Sequence, residues 1–322
     1  MSKFILGIDA GGTKTHGTLV DRNGRIVATC AQGGANWERV GITAATKVLN
    51  KVIADLLSQT NSSQSDIGAA TLALAGIDWP EDLSLFSSFT RDLTISGEVA
   101  IINDSSGALY AGAPSGIGVV SIAGTGGKTA GSNGSLSIQT MGMEVGEGGG
   151  GGQLISLAID KVASHFHSGI SDSPLARLIL KTSGKSSLLE FFYAVSRNNL
   201  HIDESLAPTI FDLASAGDND SIEIVSKVAH QHALDIIAIS QRLDFEGDVP
   251  VIRSGGLHTA GNKIFDESFE STLELAPFNY TTKILDISPS YGSVIHASHA
   301  FFDSVNQTFI EKLLGQARER GH

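Results

Sequence analysis

Residues Ile5-Leu6-Gly7-Ile8-Asp9-Ala10-Gly11-Gly12-Thr13-Lys14-Thr15 decide how this chain is read. An apolar run, Phe4–Ile8, has the composition of a strand and delivers an acid, Asp9, at its end. Two glycines and two threonines follow, then a second strand-like run, His16 to Val20, closed by the turn Asp21-Arg22-Asn23-Gly24. Glycines let backbone N–H groups crowd a polyanion without Cβ interference, and the hydroxyls of Thr13 and Thr15 add donors. The segment therefore has the make-up of a phosphate-binding hairpin. Asp9 at its mouth suits Mg²⁺, which takes hard oxygen ligands and shares them with phosphates. In isolation the same residues would serve equally well as plain turn formers.

Three more blocks extend the pattern: Ile101-Ile102-Asn103-Asp104-Ser105-Ser106-Gly107, Val119-Val120-Ser121-Ile122-Ala123-Gly124-Thr125-Gly126-Gly127, and Val251-Ile252-Arg253-Ser254-Gly255-Gly256-Leu257. Each is an apolar strand that ends in an acid or a glycine turn. In this order the four blocks resemble the nucleotide-binding signature of the sugar kinase/actin/Hsp70 superfamily. Within it they are most similar to the N-acetylglucosamine kinases and BadF/BadG-type ATPases, along nearly the whole chain. The resemblance implies an α/β, two-lobed actin-like ATPase fold of duplicated βββαβαβα (ribonuclease H-like) domains. The N-terminal lobe would span 1–112, with a C-terminal helical stretch of about 291–318 packing back onto it. The C-terminal lobe would span 113–290, with a hinge near Ala111–Ser115 and nucleotide at the floor of the cleft between lobes.

Periodicity agrees. Strand-like runs at Phe4–Ile8, Thr15–Val20 and Ile26–Thr29 precede a helix from about Thr43 to Leu57, where Val48, Leu49, Val52, Ile53, Leu56 and Leu57 recur at helical spacing. Strand Ala69–Leu74, helix Glu81–Asp92 and strand Val99–Ile102 follow, giving βββαβαβ. The second half starts with Val119–Ile122 and short runs around Asn133-Gly134. A helix from about Leu154 to Phe166, further helices to Leu243, strand Val249–Arg253, helix Lys263–Leu275 and strand Lys283–Leu285 complete it. Parallel strands with helical crossovers place ligands beyond the strand carboxyl ends, where every block quoted above lies.

Composition narrows the partners. The 322 residues are enough for two domains, each with its own core. A formal charge of −12 argues against nucleic acid or anionic membrane, yet not against ATP, which phosphate loops bind through local dipoles and Mg²⁺. Cys30 is the single cysteine, so a disulfide framework or thiolate metal cluster is excluded. Met1-Ser2-Lys3 enters a strand directly, and no stretch has the length and apolarity of a membrane span, so a soluble cytoplasmic protein is expected.

Asp104 precedes Ser105-Ser106 at a helix start, so it is either an N-cap or a general base that takes the proton of an attacking hydroxyl. The resemblance gives the aspartate of this block the second role. It also makes Gly124, Thr125 and Gly126 the second phosphate loop, facing Gly11, Gly12 and Thr13. Gly255 and Gly256 become the adenosine loop, with Phe211–Asp218 loosely matching a segment near the adenine, although a plain helix end explains that stretch equally well. Lys128, beside the second phosphate loop, could pair with phosphate, but reads first as a solvated hairpin lysine. By resemblance Asn36 and Asp78 line the sugar pocket, although either could simply form a turn, and Trp37 and Trp79 could wall it. Many relatives carry Gly-Asp-Glu-Gly-Ser, others Gly-Asp-Trp-Gly-Gly-Gly, near the run Gly148–Gly152; this chain offers Glu147 instead, with Glu144 nearby. His165 and His167, like His230 and His232, stand two apart on helices and share no face, which makes them structural.

The function implied is ATP- and Mg²⁺-dependent phosphorylation of the 6-hydroxyl of an amino sugar, N-acetylglucosamine or glucosamine. Asp9 would hold the metal, Asp104 would be the base, and Asn36, Asp78, Asp104 and Glu147 would meet the sugar. A homodimer is an open expectation. The alternative is a BadF-type ATPase that activates or senses a partner protein. The version with an iron–sulfur cluster shared between subunits needs paired cysteine ligands, which one cysteine does not supply.

Overall fold

A computed structural model of the chain describes residues 3–200, 202, 204–302 and 304–320. Two five-stranded mixed sheets form its frame, in the orders β3-β2-β1-β4-β5 and β10-β9-β6-β7-β8. The first contains β1 (Phe4–Ala10), β2 (Lys14–Asp21), β3 (Ile26–Gly33), β4 (Ile67–Leu74) and β5 (Glu98–Asn103). The second contains β6 (Gly118–Ala123), β7 (Gly127–Ser132), β8 (Ser137–Gln139), β9 (Asp248–Ser254) and β10 (Asn279–Ile284). Matching β1 with β6, β2 with β7 and so on turns one order into the other. The expected duplicated two-lobed α/β architecture is therefore the architecture found.

The helices are α1 (Trp37–Val40), α2 (Ile42–Thr60), α3 (Ser87–Asp92), α4 (Asp104–Gly112), α5 (Gly151–His167), α6 (Pro174–Ser183), α7 (Leu188–Ser196), α8 (Ala207–Ser215), α9 (Asn219–Arg242), α10 (Gly256–Thr259), α11 (Lys263–Leu273), α12 (Pro289–Phe302) and α13 (Gln307–Arg320). Amphipathic spacing accounts for the long ones. Helix α2 buries Ala45, Leu49, Val52, Ile53, Leu56 and Leu57 and ends at Asn61 in the left-handed conformation (φ 50°). Helix α9 is capped by Asp218, which accepts the N–H of Ser221, and buries Ile224, Val225, Val228, His232, Ile236 and Ile239. The helix expected over 291–318 is two helices. Asn306 accepts the N–H of Phe309 and starts α13 afresh, while α12 lies against β1, β4 and α4. The segment 81–92 also divides. Pro80 opens a 3₁₀ turn whose Asp82 accepts the N–H groups of Asp78 and Trp79, and α3 follows.

Register sets the floor of the cleft. In the β1–β2 hairpin Ala10 pairs with Thr15, so Gly11, Gly12 and Thr13 form its tip. Parallel pairing places Ala10 beside Leu74 and Leu74 beside Asn103, which brings Asp9 and Asp104 to neighbouring strand ends. In the second sheet Ala123 pairs with Gly127 and Ile122 with Ser254. The tip Gly124–Gly126 and the start of α10 therefore lie side by side.

Candidate active site

A cleft of about 370 Å³ opens between the sheets. Its walls include Gly11, Gly12, Thr13, Asn36, Asp78, Asp104, Gly124, Thr125 and Gly126, together with Glu38, Arg39 and Lys128. A second cavity of about 390 Å³ shares Thr13, Gly124 and Thr125 with it and continues past Gly256, Leu257, Pro208 and Phe211. Two chambers thus meet at a pair of facing glycine–threonine tips. One is polar and acid-lined, the other flanked by apolar side chains.

The second tip is braced by the glycine run. Gly151 donates to the carbonyl of Gly124 (2.8 Å) and Gly152 to that of Thr125 (3.2 Å), so the first turn of α5 stands directly behind the loop. Glu144 Oε1 accepts from both Gly127 N (2.9 Å) and Gly150 N (3.0 Å), tying loop to run. A Cβ on Gly150 would sit 2.4 Å from the Gly124 oxygen, so backbone must touch backbone there. Gly255 (φ 93°) caps α10, and a Cβ on it would meet the Ala123 carbonyl at 2.5 Å. His232 completes the support. It is fully buried, bonded through Nδ1 to Ser121 Oγ (2.9 Å) and through Nε2 to the Gly149 carbonyl (2.8 Å). A carbonyl can only accept, so Nε2 carries the proton and Nδ1 receives the Ser121 hydroxyl. Burial pulls the His232 pKa down to about 4, which keeps the ring neutral.

Asp104 is the first residue of α4, and the cap is its neighbour. Asn103 Oδ1 accepts the Ser105 N–H (3.0 Å), while Asn103 Nδ2 donates to the Ile77 carbonyl and to Asp78 Oδ1, both at 2.9 Å. Capping therefore does not require Asp104, although its Oδ1 also reaches the Ser105 N–H (2.9 Å). Burial raises its pKa to about 6; the Lys128 ammonium pulls the other way, and Asp78 adds to the rise. Asp9, at the end of β1, rises to about 8, through burial first and the charge of Asp104 second. Two carboxylates thus lie near enough to each other beneath the first loop for the charge of one to raise the pKa of the other.

Lys128 is not the solvated lysine its hairpin position suggests. It is 8% exposed and pairs with Asp78 Oδ1 at 2.8 Å, because β7 turns it into the cleft instead of toward solvent. Glu147 is also elsewhere. It is buried with Oε1 accepting the Glu144 N–H (2.7 Å), and it borders a separate depression with Gly146, Gln153, Asp160 and Lys227. The sugar-facing role expected for it is not supported by this placement; its carboxylate is occupied in shaping the loop that presents Glu144. Neither tryptophan walls the cleft. Trp37 Nε1 donates to the Gly76 carbonyl (2.7 Å), and Trp79, 53% exposed, borders a groove on the far side of Asp78. Asn36 Oδ1 accepts the Glu38 N–H, so it caps α1 while lining the cleft. Glu38 and Arg39 carry no motif of their own; their adjacency to Asn36 was the available signal.

The BadF/BadG/BcrA/BcrD ATPase family model matches residues 6–274. The chain belongs to this family. It is 26% identical over 305 residues to the N-acetylmuramic acid/N-acetylglucosamine kinase of Clostridium acetobutylicum, covering 92% of this chain and 98% of the relative. It is 27% identical over 274 residues to the N-acetyl-D-glucosamine kinase of Dictyostelium discoideum, covering 80% and 86%. In fold it is similar to a protein of Chromobacterium violaceum provisionally named an N-acetylglucosamine kinase (TM-score 0.69, 18% identity, 91% and 98% coverage). The ROK-family glucokinase of Streptomyces griseus shares the fold as well (TM-score 0.53, 17% identity, 92% and 99% coverage). These likenesses place this member of the BadF/BadG/BcrA/BcrD family on the two-lobed fold that sugar kinases share with actin-like ATPases. Among its described residues no helix is long and apolar enough to cross a membrane.

Proposed function

We propose that the protein transfers the γ-phosphate of ATP to the 6-hydroxyl of an amino sugar. The observation that carries this is the meeting of two chambers at the facing tips Gly11-Gly12-Thr13 and Gly124-Thr125-Gly126, with Asp104 in one chamber only. Nucleoside occupies the chamber beside Gly256 and Phe211, the phosphates lie between the tips, and the sugar lies beside Asp78, Asn36 and Asp104. The kinase names of the two curated relatives favour a sugar acceptor over a protein partner. The lobes divide at about residue 112, with the C-terminal helices packing back on the first.

The residues fit Mg²⁺. Burial and the charge of Asp104 hold a proton on Asp9, and a divalent cation is what would displace it and let both carboxylates ionise. Among the described residues no group of three or more ligating side chains stands ready. Asp9 would therefore share the ion with water and nucleotide phosphates, as Mg²⁺ prefers. When bound, Mg²⁺ neutralises charge building on the phosphates. The chain itself supplies the rest. The two tips donate backbone N–H groups to the phosphoryl oxygens. Asp104, ionised above a pKa of about 6, accepts the 6-hydroxyl proton as that oxygen attacks phosphorus and ADP departs. An ADP-release assay with a panel of amino sugars tests the reading: one sugar should stimulate turnover well above the sugar-free rate, and equal rates with and without sugar would reject it.

A further inference from the structure

The acceptor chamber contains a contact that crosses between the sheets. Asp78 follows β4 of the first sheet, whereas Lys128 and Gln139 belong to β7 and β8 of the second. Lys128 Nζ meets Asp78 Oδ1 at 2.8 Å with both side chains nearly buried (10% and 13% exposed). Gln139 Nε2 donates to the Asp78 carbonyl at 3.0 Å, a second tie across the same gap. On its own side Asp78 is fixed by Asn103 Nδ2 at Oδ1 (2.9 Å) and by its N–H to Asp82 Oδ2 (2.9 Å). Lys128 is fixed in turn by donating to the Thr140 carbonyl (3.0 Å).

Such a pair is expensive to bury and tolerable only when its remaining hydrogen-bonding capacity is used. That capacity is uneven here. An ammonium has three N–H donors, of which Asp78 and Thr140 take two. The protein donors that reach the Asp78 carboxylate converge on Oδ1, leaving Oδ2 with lone pairs to offer. Both residues line the cleft that holds Asp104. One donor and one acceptor on a contacting pair, immobilised from both sheets, suit the complementary hydrogen-bonding needs of two neighbouring hydroxyls on a sugar ring.

We propose that Lys128 is a specificity-determining residue: clasped to Asp78 across the cleft, it forms with the free Asp78 oxygen a donor–acceptor couple that reads a vicinal diol of the acceptor. This rests on the sugar-kinase reading above. Because its two halves come from different sheets, the clasp ties the walls of the acceptor chamber together before the sugar arrives.

The test combines variants with deoxy sugars. Wild-type enzyme is assayed with the stimulating amino sugar and with its 3-deoxy and 4-deoxy analogues, then Lys128→Met and Asp78→Asn likewise. Loss of a hydroxyl that fills a built polar site should raise the wild-type sugar KM about tenfold or more. In Lys128→Met the parent sugar KM should rise similarly, the ATP KM should stay within about twofold, and the same deoxygenation should now matter less than about threefold. Asp78→Asn preserves shape and serves if Lys128→Met does not fold; it too should blunt the deoxygenation penalty. A full penalty at both hydroxyls in the variants would overturn the inference, as would a parallel rise in ATP KM, the mark of a merely structural pair. If no sugar is phosphorylated by the wild type, the sugar-kinase reading itself falls, which is a visibly different result.

Discussion

Replacing Asp104 with asparagine should move activity and stability in opposite directions. The carboxylate is the only acid at the first turn of α4, and the cap belongs to Asn103, so Asp104→Asn leaves the helix start intact. Raising its pKa from the ordinary 3.8 to about 6 costs the ionised protein about 3 kcal/mol at neutral pH as an upper figure. The sign follows from the direction. The folded chain holds this proton more tightly than the unfolded chain, so the group's contribution grows more favourable as pH falls from about 6 toward 4. Above 6 the strain is fully present. The neutral amide abolishes it and also relieves Asp9, whose raised pKa owes part of its rise to Asp104. Ligand-free Asp104→Asn should therefore melt higher than wild type at pH 7.5, by the equivalent of about 1–3 kcal/mol. Phosphoryl transfer should fall about 10²–10⁴-fold, with ATP binding retained. The wild-type kcat/KM should itself decline as pH drops through about 6, because the base becomes protonated. Scanning calorimetry and coupled ADP release across pH 5–8.5 read both effects. A variant that melts lower and turns over at the wild-type rate would return Asp104 to the status of a helix-end residue and refute the reasoning.

Other substitutions separate the parts of the site. Asp9→Ala should raise the Mg²⁺ concentration needed for half-maximal turnover at least about tenfold with little change in sugar binding, measured by Mg²⁺ titration and calorimetry. Gly150→Ala forces a Cβ to within 2.4 Å of the Gly124 oxygen, so the second tip must shift. ATP KM should rise about tenfold or more while the fold survives on circular dichroism. Glu147→Gln keeps an oxygen to accept the Glu144 N–H, so both KM values should stay within about twofold of wild type; a raised sugar KM would put Glu147 back at the acceptor.

Much of the frame was legible because the sequence repeats one periodic pattern around glycine-ended strands. Phe4–Ile8 and Val119–Ile122 are almost wholly apolar, Ser121 apart, as central strands between helical layers are, and each runs into a glycine tip. The tips and Asp104 were legible from the same blocks, Asn36 and Asp78 only through the family resemblance, and the structure lines one cleft with them. Lys128 was not, because β7 is buried at four consecutive positions and offers no alternation to say which way a lysine faces. Glu144 entered only as the acid near Glu147, second in line for the missing family aspartate. Its bonds to Gly127 N and Gly150 N join segments whose approach depends on where α5 begins, and that start inside the glycine run carries no helix-forming residue to announce it. The position of Glu147, beside a separate depression, was hidden for the same reason. A glycine run has no periodicity, so nothing in it tells which neighbouring acid faces the ligand. The single helix expected over 291–318 failed at Asn306, a cap hidden between two apolar stretches.

If the cleft moves phosphate from ATP to a sugar hydroxyl, the transfer is visible in the phosphorus itself. ³¹P nuclear magnetic resonance of the protein with Mg²⁺–ATP and each amino sugar in turn observes that transfer directly. A new phosphate-ester signal coupled to the C6 protons of one sugar should form mole for mole with ADP and be absent with the 6-deoxy analogue. ADP and inorganic phosphate accumulating equally in every tube, with no ester formed, would contradict it.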